Sequence, residues 1–415
     1  MATLERLPMT RIRVLEERKI LLGVTGSIAA YKAVELASMV TRAGAQVDVI
    51  LSAAARQFVT PLTFQSVTGR RVYGEADLWG EEAHVLHIGL GEAAGLFVIA
   101  PATANTITKL ASGQADSLLT LTALAARCPL LVAPAMDAGM YEHPATQENV
   151  ETLRRRGVIL AGPAEGRMAS GLVGKGRLLE PEELFGLIRK TLGRDGPLAG
   201  CKIVITAGGT QEALDPVRVL ANRSSGKQGY ALAQAAIDRG ADVTLISGPV
   251  HLPAPVGVRR MNVRSAAEMH AAVMNSLDDA DALLMAAAVA DYRPKSPSPG
   301  KIKRSEGVPE LELEPTEDIL AAAVQARARK GNPAVIVGFA AESQNLLDNA
   351  RAKLEAKGVD LIVANDISAP DAGFEVDTNR VTLVDASGEQ PLPLAPKSTV
   401  AEAVLDRVVG LLAEK

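Results

Sequence analysis

The stretch KILLGVTGSIAAYK, residues 19–32, decides the fold of the first half of the chain. After Lys19 it begins with an apolar run, which is typical of a strand covered on both faces, and a glycine-bearing turn follows. An amphipathic segment then continues to Arg42, and a second apolar run extends from Gln46 to Ser52. This order of strand, turn, helix and strand predicts the opening βαβ unit of a parallel sheet.

The second half of the chain repeats this layout. The apolar run CKIVITA, 201–207, precedes a Gly208-Gly-Thr turn, and after a longer excursion a helix up to Arg239 and a strand over 241–247 are predicted. Other short apolar runs predict further buried strands at 96–100, 130–133, 282–285, 334–339 and 360–364. The predicted fold class is therefore α/β, with two Rossmann-like domains and mainly parallel sheets.

The length of 415 residues supports more than one domain, because single hydrophobic cores stop growing at about 250–300 residues. The stretch GRDGPLAG, 193–200, is the most linker-like part of the chain. We therefore predict an amino-terminal extension at 1–18, a first domain at 19–192, a linker at 193–200 and a second domain at 201–415.

The composition excludes several classes of function. Aromatic residues make up only 3% of the chain and the net charge is −4, which argues against a nucleic-acid-binding surface. The two cysteines, Cys128 and Cys201, make neither a disulfide framework nor a zinc site by themselves, and they fit a reducing, cytoplasmic setting.

Export and membrane insertion are not expected either. The first residues carry charges throughout and lack the apolar run of a secretion signal. The best candidate for a membrane span, 117–136, contains Arg127, Pro129 and Pro134, and is better interpreted as a helix followed by a buried strand.

Polar residues follow the predicted strands of the first half, where a parallel sheet binds ligands. They are Ser27, Ser52, the PATAN segment at 101–105 and the PAMD segment at 134–137. Neither glycine turn matches GxGxxG, so a dinucleotide is disfavoured, whereas a mononucleotide phosphate needs only helix N–H groups and a small hydroxyl. From its spacing alone, His87 is more often a packed or surface residue than a base.

The ordered motifs resemble those of a known enzyme family. In the first half, GSIAAYK (26–32), His87-Ile, APATANT (100–106) and PAM (134–136) resemble the homo-oligomeric flavin-containing cysteine decarboxylases. The motifs of the second half resemble phosphopantothenate cysteine ligase: TAGGT (206–210), DPVR (215–218), NRSSGK (222–227), AAAVADYR (286–293), KIK (301–303) and GFAAE (338–342). Over residues 19–410 the chain thus resembles the bifunctional coenzyme A biosynthesis family, in which phosphopantothenoylcysteine decarboxylase is fused to its ligase.

For the second domain, the resemblance implies a CTP-dependent ligase. CTP would activate the carboxylate of 4′-phosphopantothenate as an acyl cytidylate, and the amine of L-cysteine would displace CMP. Asn222 would steady the acyl cytidylate, Lys301 would be a flap lysine, and Mg²⁺ is expected on the triphosphate. The implied nucleotide site comprises Met285, Ala286, Ala287, Asp291, Glu317, Asp318, Ile319, Leu320, Phe339, Lys353 and Lys357.

Each of these assignments has a plainer alternative. Lys353 and Lys357 are four residues apart on a predicted helix, where a solvated face is the simpler interpretation. Asn222 could cap the helix that follows, and the small residues at 286–288 could be core packing. The family has Asn-Pro-Asp-Ile where this chain has Thr316-Glu-Asp-Ile.

For the first domain, the resemblance implies an FMN-dependent decarboxylase with His87 as the base in thiol oxidation. Met136 and Asp137 would bind the substrate, and Asp137 replaces the family's asparagine. Ser170, on a flap that covers the substrate, stands where many members have the catalytic cysteine that donates a proton. A serine hydroxyl is a far weaker acid than a thiol. The implied FMN site comprises Gly26, Ser27, Ile28, Ala29, Ser52, Pro101, Thr103, Ala104 and Asn105.

Three functions remain open at this point. The chain could carry out both steps, or it could ligate while its flavin domain stops at an oxidised ene-thiol. In the third, the flavin domain is a regulatory, oligomer-forming module. The resemblance also implies a dodecamer built from trimeric flavin domains and dimeric ligase domains.

Overall fold

The computed structural model describes residues 11–79, 85–168, 171–303, 310–342, 345–366 and 376–415. These residues form two compact units that part between Leu192 and Gly193. Both units are layered α/β structures built on parallel sheets, so the predicted fold class is confirmed. The assignment of one activity to each domain stays a prediction.

The described part of the first unit contains one large sheet flanked by helices. Its strands are β1 (Lys19–Val24), β2 (Gln46–Leu51), β3 (Val72–Tyr73), β4 (Leu96–Ala102), β5 (Leu130–Pro134) and β6 (Ile159–Leu160), with a separate hairpin of β7 (Ala164–Arg167) and β8 (Val173–Arg177). The helices are α1 (Ala30–Arg42), α2 (Pro61–Thr68), α3 (Leu86–Ala93), α4 (Ala104–Ser112), α5 (Leu118–Ala125), α6 (Ala138–Glu142), α7 (Pro144–Arg155) and α8 (Pro181–Gly193).

The large sheet of the first unit is parallel, in the order β3-β2-β1-β4-β5-β6. Its strands are apolar on both faces because helices cover both faces. In β1, Ile20, Leu22 and Val24 belong to one core cluster, and Leu21 belongs to the cluster on the opposite face. The strand order reverses between β1 and β4: the strands that follow β1 are added on one side of it, and those that follow β4 are added on the other. Parallel sheets bind ligands in the crevice that opens at such a reversal.

The second unit has a longer sheet, formed by β9 (Lys202–Ala207), β12 (Asp242–Ser247), β13 (Arg259–Asn262), β14 (Ala282–Met285), β17 (Val335–Glu342), β18 (Leu361–Asp366), β19 (Thr378–Asp385) and β20 (Gly388–Pro396). Two hairpins lie outside it, β10 (Gln211–Ala213) with β11 (Val219–Ala221), and β15 (Tyr292–Pro294) with β16 (Leu313–Pro315). The helices are α9 (Lys227–Ile237), α10 (Ala266–Ser276), α11 (Ile319–Lys330), α12 (Leu346–Lys357) and α13 (Lys397–Ala413).

The order of the large sheet in the second unit is β13-β12-β9-β14-β17-β18-β19-β20. It is parallel up to β18, and the last two strands are antiparallel. Helices α9 and α13 pack against each other on one face, and α10, α11 and α12 cover the other. The predicted linker belongs to this unit, because Leu198 is buried in the core beneath α9 and α13.

The described helices include none that is long and apolar enough to cross a membrane.

The central strand β14 should dominate the stability of the second unit. Leu284 on β14 is 0% exposed, whereas Leu394 on the outermost strand β20 is 39% exposed. We expect Leu284→Ala to lower the free energy of unfolding by about 2–5 kcal/mol because it leaves a cavity. The control Leu394→Ala should cost about 1 kcal/mol or less. Urea denaturation followed by circular dichroism measures both, and equal losses would contradict this account of the core.

Candidate functional site

The turns that follow β1, β2 and β4 meet at the carboxyl edge of the first sheet. Gly26 packs so closely on Ala54, in the turn after β2, that a side chain at Gly26 would overlap it. The buried Thr25 hydroxyl donates to the carbonyl oxygen of Pro101 at 2.7 Å and accepts from the N–H of Thr103 at 3.1 Å. Thr25 therefore ties the loop after β1 to the loop after β4.

The residues predicted to hold FMN lie in these turns and in the first turns of two helices. Ser27 Oγ accepts from the Ala29 N–H at 3.3 Å, and Ser52 Oγ accepts from the Ala55 N–H at 3.2 Å. Thr103 caps α4, whereas α1 begins with no side-chain cap. At the start of α1, the Ala30 N–H donates to the Ser27 carbonyl at 2.9 Å and the Lys32 N–H donates to the Ala29 carbonyl at 3.1 Å, so the turn at Ser27 supplies acceptors to this helix start. The full set is Gly26, Ser27, Ile28, Ala29, Ser52, Pro101, Thr103, Ala104 and Asn105.

Asp137 has a structural task that the sequence did not reveal. Its Oδ1 accepts from the Gly139 N–H at 3.1 Å and caps the short helix α6. The neighbouring Met136 N–H donates to the Gly176 carbonyl on β8 at 2.9 Å. Asp137 is thus fixed at the base of the β7–β8 hairpin. Ser170, predicted on a flap that covers the substrate, lies outside the described residues.

His87 lies in the first turn of α3, just before β4. Its Nδ1 is buried and has no hydrogen-bond partner among the residues that the structure describes. A buried polar atom without a partner is uncommon, and a bound ligand is one way to satisfy it. This observation fits a residue that contacts a cofactor or substrate better than it fits simple packing.

A cleft of about 540 Å³ lies at the carboxyl edge of the second sheet. It gathers predicted residues from segments that are more than 100 positions apart along the chain. Those that line it are Asn222, Met285, Ala286, Ala287, Asp291, Glu317, Asp318, Ile319, Leu320, Phe339, Lys353 and Lys357.

Buried threonines hold the central loop of this cleft, residues 286–291. Thr206 Oγ1 accepts from the Ala287 N–H at 3.1 Å, and Thr210 Oγ1 accepts from the Ala290 N–H at 2.9 Å. Between these bonds, the Ala288 N–H donates to the Gly208 carbonyl at 2.8 Å. The loop after β14 is therefore joined to the loop after β9 over its whole length. Its alanines line the cleft rather than only filling the core.

Both lysines of α12 face the cleft rather than a solvated helix surface. Lys353 Nζ donates to the Phe339 carbonyl at 3.1 Å, and Lys357 forms an ion pair with Asp318. Asp318 also caps α11 by accepting from the Ala321 N–H at 2.9 Å. Burial opposes ionisation of Asp318, but the bonds from Lys357 and Ala321 outweigh it and lower its pKa. At this end of the cleft, the positive charge of Lys357 is thus balanced by the negative charge of Asp318.

Asn222 does not cap the helix that follows it. The N-cap of α9 is Gly226, and Asn222 Nδ2 instead donates to the Val289 carbonyl at 2.9 Å. The side chain is therefore held against the central loop of the cleft.

Lys301 is exposed and does not line the cleft. The loop that carries it is held by Asp215, whose Oδ2 accepts from the Ile302 N–H at 3.2 Å, and by Arg218, which donates to the Ile302 carbonyl at 3.0 Å. Burial raises the pKa of Asp215, but the N–H groups of Val217, Arg218 and Ile302 outweigh it, and the net pKa is lowered. The ionised carboxylate therefore anchors the Lys301 loop.

Several cleft residues were not predicted from the sequence. They belong to the starts of α9 and α13 and to the neighbouring ends of β18 and β19, and they include Ser224, Gly226, Lys227, Gln228, Asn365, Asn379 and Lys397. Asn365 carried a usable signal, since it follows an apolar run at the end of a predicted strand. Lys397 had no comparable signal.

No cluster of three or more potential metal ligands occurs within the described ranges. Cys128 and Cys201 are free thiols, and burial raises the pKa of each.

Two protein-family models match the chain, one in each unit. The family model for the DNA/pantothenate metabolism flavoprotein C-terminal domain matches residues 198–412, and the Flavoprotein family model matches residues 10–193. A solved structure of the C-terminal domain of a coenzyme A biosynthesis bifunctional protein CoaBC covers 53% of this chain and 100% of its own length, at 38% identity and a TM-score of 0.45.

Two curated relatives match the chain almost from end to end. The coenzyme A biosynthesis bifunctional protein CoaBC of Vibrio cholerae serotype O1 is 47% identical over 94% of this chain and 98% of its own length. The protein of the same name from Bacillus subtilis is 45% identical over 96% of this chain and 98% of its own length. The chain belongs to the CoaBC family of bifunctional coenzyme A biosynthesis proteins.

Proposed function

We propose that the chain catalyses two consecutive steps of coenzyme A biosynthesis. The second unit joins L-cysteine to 4′-phosphopantothenate at the expense of CTP, and the first unit decarboxylates the resulting 4′-phosphopantothenoylcysteine to 4′-phosphopantetheine. The observation that carries this proposal is the 540 Å³ cleft, which gathers twelve of the residues expected for ligation. Family membership supports both activities.

The ligation proceeds in two displacements. A carboxylate oxygen of 4′-phosphopantothenate attacks the α-phosphorus of CTP and releases pyrophosphate, and the neutral amine of cysteine then attacks the acyl carbon and releases CMP. The first displacement brings several negative charges together, so donors and cations must be positioned beforehand. Asn222, held against Val289, is placed to steady the acyl cytidylate. The backbone of the 286–291 loop and Phe339 offer a surface for the cytosine base.

Lys301 acts in this proposal from a loop that moves toward the cleft once substrates are bound. Its exposed position, next to the Asp215 anchor, supports a role in delivering charge late rather than in initial binding.

Mg²⁺ is part of the proposal because it accompanies a triphosphate and takes one or two protein carboxylates together with phosphate oxygens. Three carboxylates line the cleft: Asp291, Glu317 and Asp318. Glu317 is within 2.8 Å of His270 Nδ1, and Asp318 is engaged by Lys357. Asp291 is therefore the better candidate for contact with the ion.

FMN is the proposed cofactor of the first unit. When bound, it supplies the oxidation of the substrate thiol, and its reduced form returns the electrons after CO₂ has left. The turns that carry Ser27 and Ser52, two small hydroxyls at the carboxyl edge of the sheet, fit its phosphate. His87 accepts the thiol proton at Nδ1, the buried atom that lacks a partner in the described part of the chain. Asp137, fixed as the cap of α6, orients the loop on which the substrate lies.

We also propose that the chain self-associates into a dodecamer and that it is located in the cytoplasm. Large apolar side chains are exposed in both units, among them Trp79 and Leu124 in the first and Val217 and Val219 in the second. Such side chains are expected where subunits meet. The two free thiols fit a reducing compartment.

The complete reaction can be tested by mass spectrometry of the product. Purified protein loaded with FMN receives 4′-phosphopantothenate, L-cysteine, CTP and Mg²⁺. We expect a product that differs from phosphopantothenoylcysteine by the loss of CO₂ alone. Loss of CO₂ together with two hydrogens would show that the first unit stops at the oxidised ene-thiol. Accumulated phosphopantothenoylcysteine would show that the first unit does not decarboxylate.

His87→Gln separates the two activities within one protein. Removing a general base costs about 10²–10⁴-fold in rate, so decarboxylation should fall by at least about 100-fold, while ligation should stay within about twofold. The two rates are measured separately, with phosphopantothenoylcysteine supplied for the first. The control His143→Gln alters an exposed histidine at the start of α7 and should leave both rates nearly unchanged. Full decarboxylation by His87→Gln would remove the assigned role.

Asp215→Asn tests how the Lys301 loop is held. The amide cannot accept all the N–H bonds that the carboxylate accepts, so backbone amides in 295–303 should exchange with deuterium about tenfold faster. Ligation should slow while decarboxylation is unchanged. The matched control is Asp195→Asn, which alters an exposed aspartate that pairs with its neighbour Arg194. Unchanged exchange in 295–303 would mean that Asp215 does not anchor the loop.

A further inference from the structure

The position of Asn222 depends on an exposed segment that burial does not hold in place. Asn222 follows the short strand β11, and Asn222 and its neighbours Ala221 and Arg223 are all exposed. The side chain is held by the bond from its Nδ2 to the Val289 carbonyl, which is 2.9 Å long. One such bond orients the amide, but it does not by itself fix the backbone of an exposed segment.

Gly209 supplies a backbone contact to this segment. It is buried just beyond the end of β9, and it forms an isolated parallel bridge with Ala288 in the central loop of the cleft. The Asn222 carbonyl oxygen lies 2.7 Å from the point where a Cβ atom of residue 209 would stand. A Cβ atom and a backbone oxygen do not approach each other so closely. Only glycine therefore lets the Asn222 backbone lie where it does.

The space that Gly209 leaves open faces the Asn222 segment. The three atoms nearest to the absent Cβ atom belong to Asn222 and Ser224, and the Ser224 Cβ atom is at an ordinary contact distance of 3.6 Å. None of the three belongs to the 286–291 loop, which offers a surface for the cytosine base. A side chain at residue 209 would therefore push first on the Asn222 backbone.

A second glycine packs on Gly209. Gly248 follows β12, and a Cβ atom at Gly248 would stand 2.4 Å from the Gly209 carbonyl oxygen. The Gly248 N–H donates to the Ala207 carbonyl at 2.9 Å, and its carbonyl accepts from the Ser247 hydroxyl at 2.8 Å. Three stretches of backbone thus lie in contact, in the order Gly248, Gly209 and Asn222. A displacement of one is passed to the next, because close-packed interiors transmit strain.

We propose that Gly209, supported by Gly248, is a positioning residue that sets where Asn222 stands in the cleft. The inference rests on the ligase function proposed above, in which Asn222 steadies the acyl cytidylate. A misplacement of about 1 Å in such a group can cost about 100-fold in rate. The absence of a side chain at residue 209 is therefore a requirement of the reaction as well as of packing.

The first test compares Gly209→Ala with the control Gly410→Ala. The control adds the same methyl group to α13, where the nearest atom is the Arg407 Nη1 at 3.5 Å. We expect Gly209→Ala to lower the kcat of ligation by about 10- to 100-fold, because the methyl group displaces Asn222. Equilibrium binding of CTP, measured without turnover, should stay within about twofold, since the displacement is directed at Asn222. Gly410→Ala should change neither quantity by more than about twofold.

The second test shows whether Gly209 acts through Asn222. A double-mutant cycle combines Gly209→Ala with Asn222→Ala, which removes the amide that Gly209 positions. In the Asn222→Ala background, Gly209→Ala should lower kcat by no more than about twofold. Equal losses of kcat in both backgrounds would overturn the role of Gly209, and so would a kcat of Gly209→Ala within about twofold of the unchanged protein.

Gly248→Ala takes the place of Gly209→Ala if the latter does not fold, as judged by circular dichroism. Because Gly248 packs on Gly209, we expect the same fall in kcat with CTP binding retained, and the same loss of effect in the Asn222→Ala background. CTP binding that weakens as much as kcat falls would contradict a role that is confined to Asn222.

Hydrogen exchange separates this inference from the ligase function itself. Displacing Asn222 strains the pairing of Ala221 with Gln211 between β11 and β10. Backbone amides in 219–224 should therefore exchange with deuterium at least about threefold faster in Gly209→Ala. If the unchanged protein forms no phosphopantothenoylcysteine, the ligase function fails, and this comparison still decides whether Gly209 holds the Asn222 segment. Exchange at the unchanged rate would show that it does not.

Discussion

In each unit, a buried threonine hydroxyl at or near the end of the first strand fixes the loop that follows a neighbouring strand. Thr25 joins the β1 turn to the β4 loop, and Thr206 joins the β9 end to the loop after β14. The neighbouring strands β1 and β4, and likewise β9 and β14, are where the strand order of each sheet reverses. The ligand crevice of each unit is therefore expected beside two loops that are bonded to each other. In the second unit, bonds to Thr206, Gly208 and Thr210 hold the 286–291 loop, and Asn222 is held against this loop through the Val289 carbonyl.

Much of the fold was predictable because parallel strands covered on both faces appear as continuous apolar runs. The runs at 96–100 and 282–285 correspond to β4 and β14 within two residues. The convergence of polar residues was predictable for the same reason, since every parallel strand ends at one edge. The four-residue spacing of Lys353 and Lys357 could not show whether these lysines lie on a solvated helix face or face a cleft. That depends on where α12 packs, and Lys353 reaches Phe339 only because α12 covers β17 and β18.

Two of the residues missed by sequence analysis, Asn379 and Lys397, lie beyond the switch from parallel to antiparallel pairing. A chain of alternating strands and helices predicts that each helix begins near the edge where the previous strand ended. After β18, two antiparallel strands follow without a helix between them, and they return the chain to the same edge. Only this return brings Lys397 next to Lys227, 170 positions earlier. Nothing in the apolar pattern of β19 and β20 specifies that pairing, and so the second cation of this end could not be inferred.

The two ends of the ligase cleft differ in how their cations are balanced. Lys357 is neutralised by Asp318, which is itself fixed as a helix cap, and this arrangement is stable without a ligand. Lys397 has a pKa of about 8, below its ordinary value, so its protonated form is disfavoured in the folded protein. By linkage, this cost to stability is fully present below pH 8 and is relieved as the pH rises toward 10.5, where the unfolded chain also loses the proton.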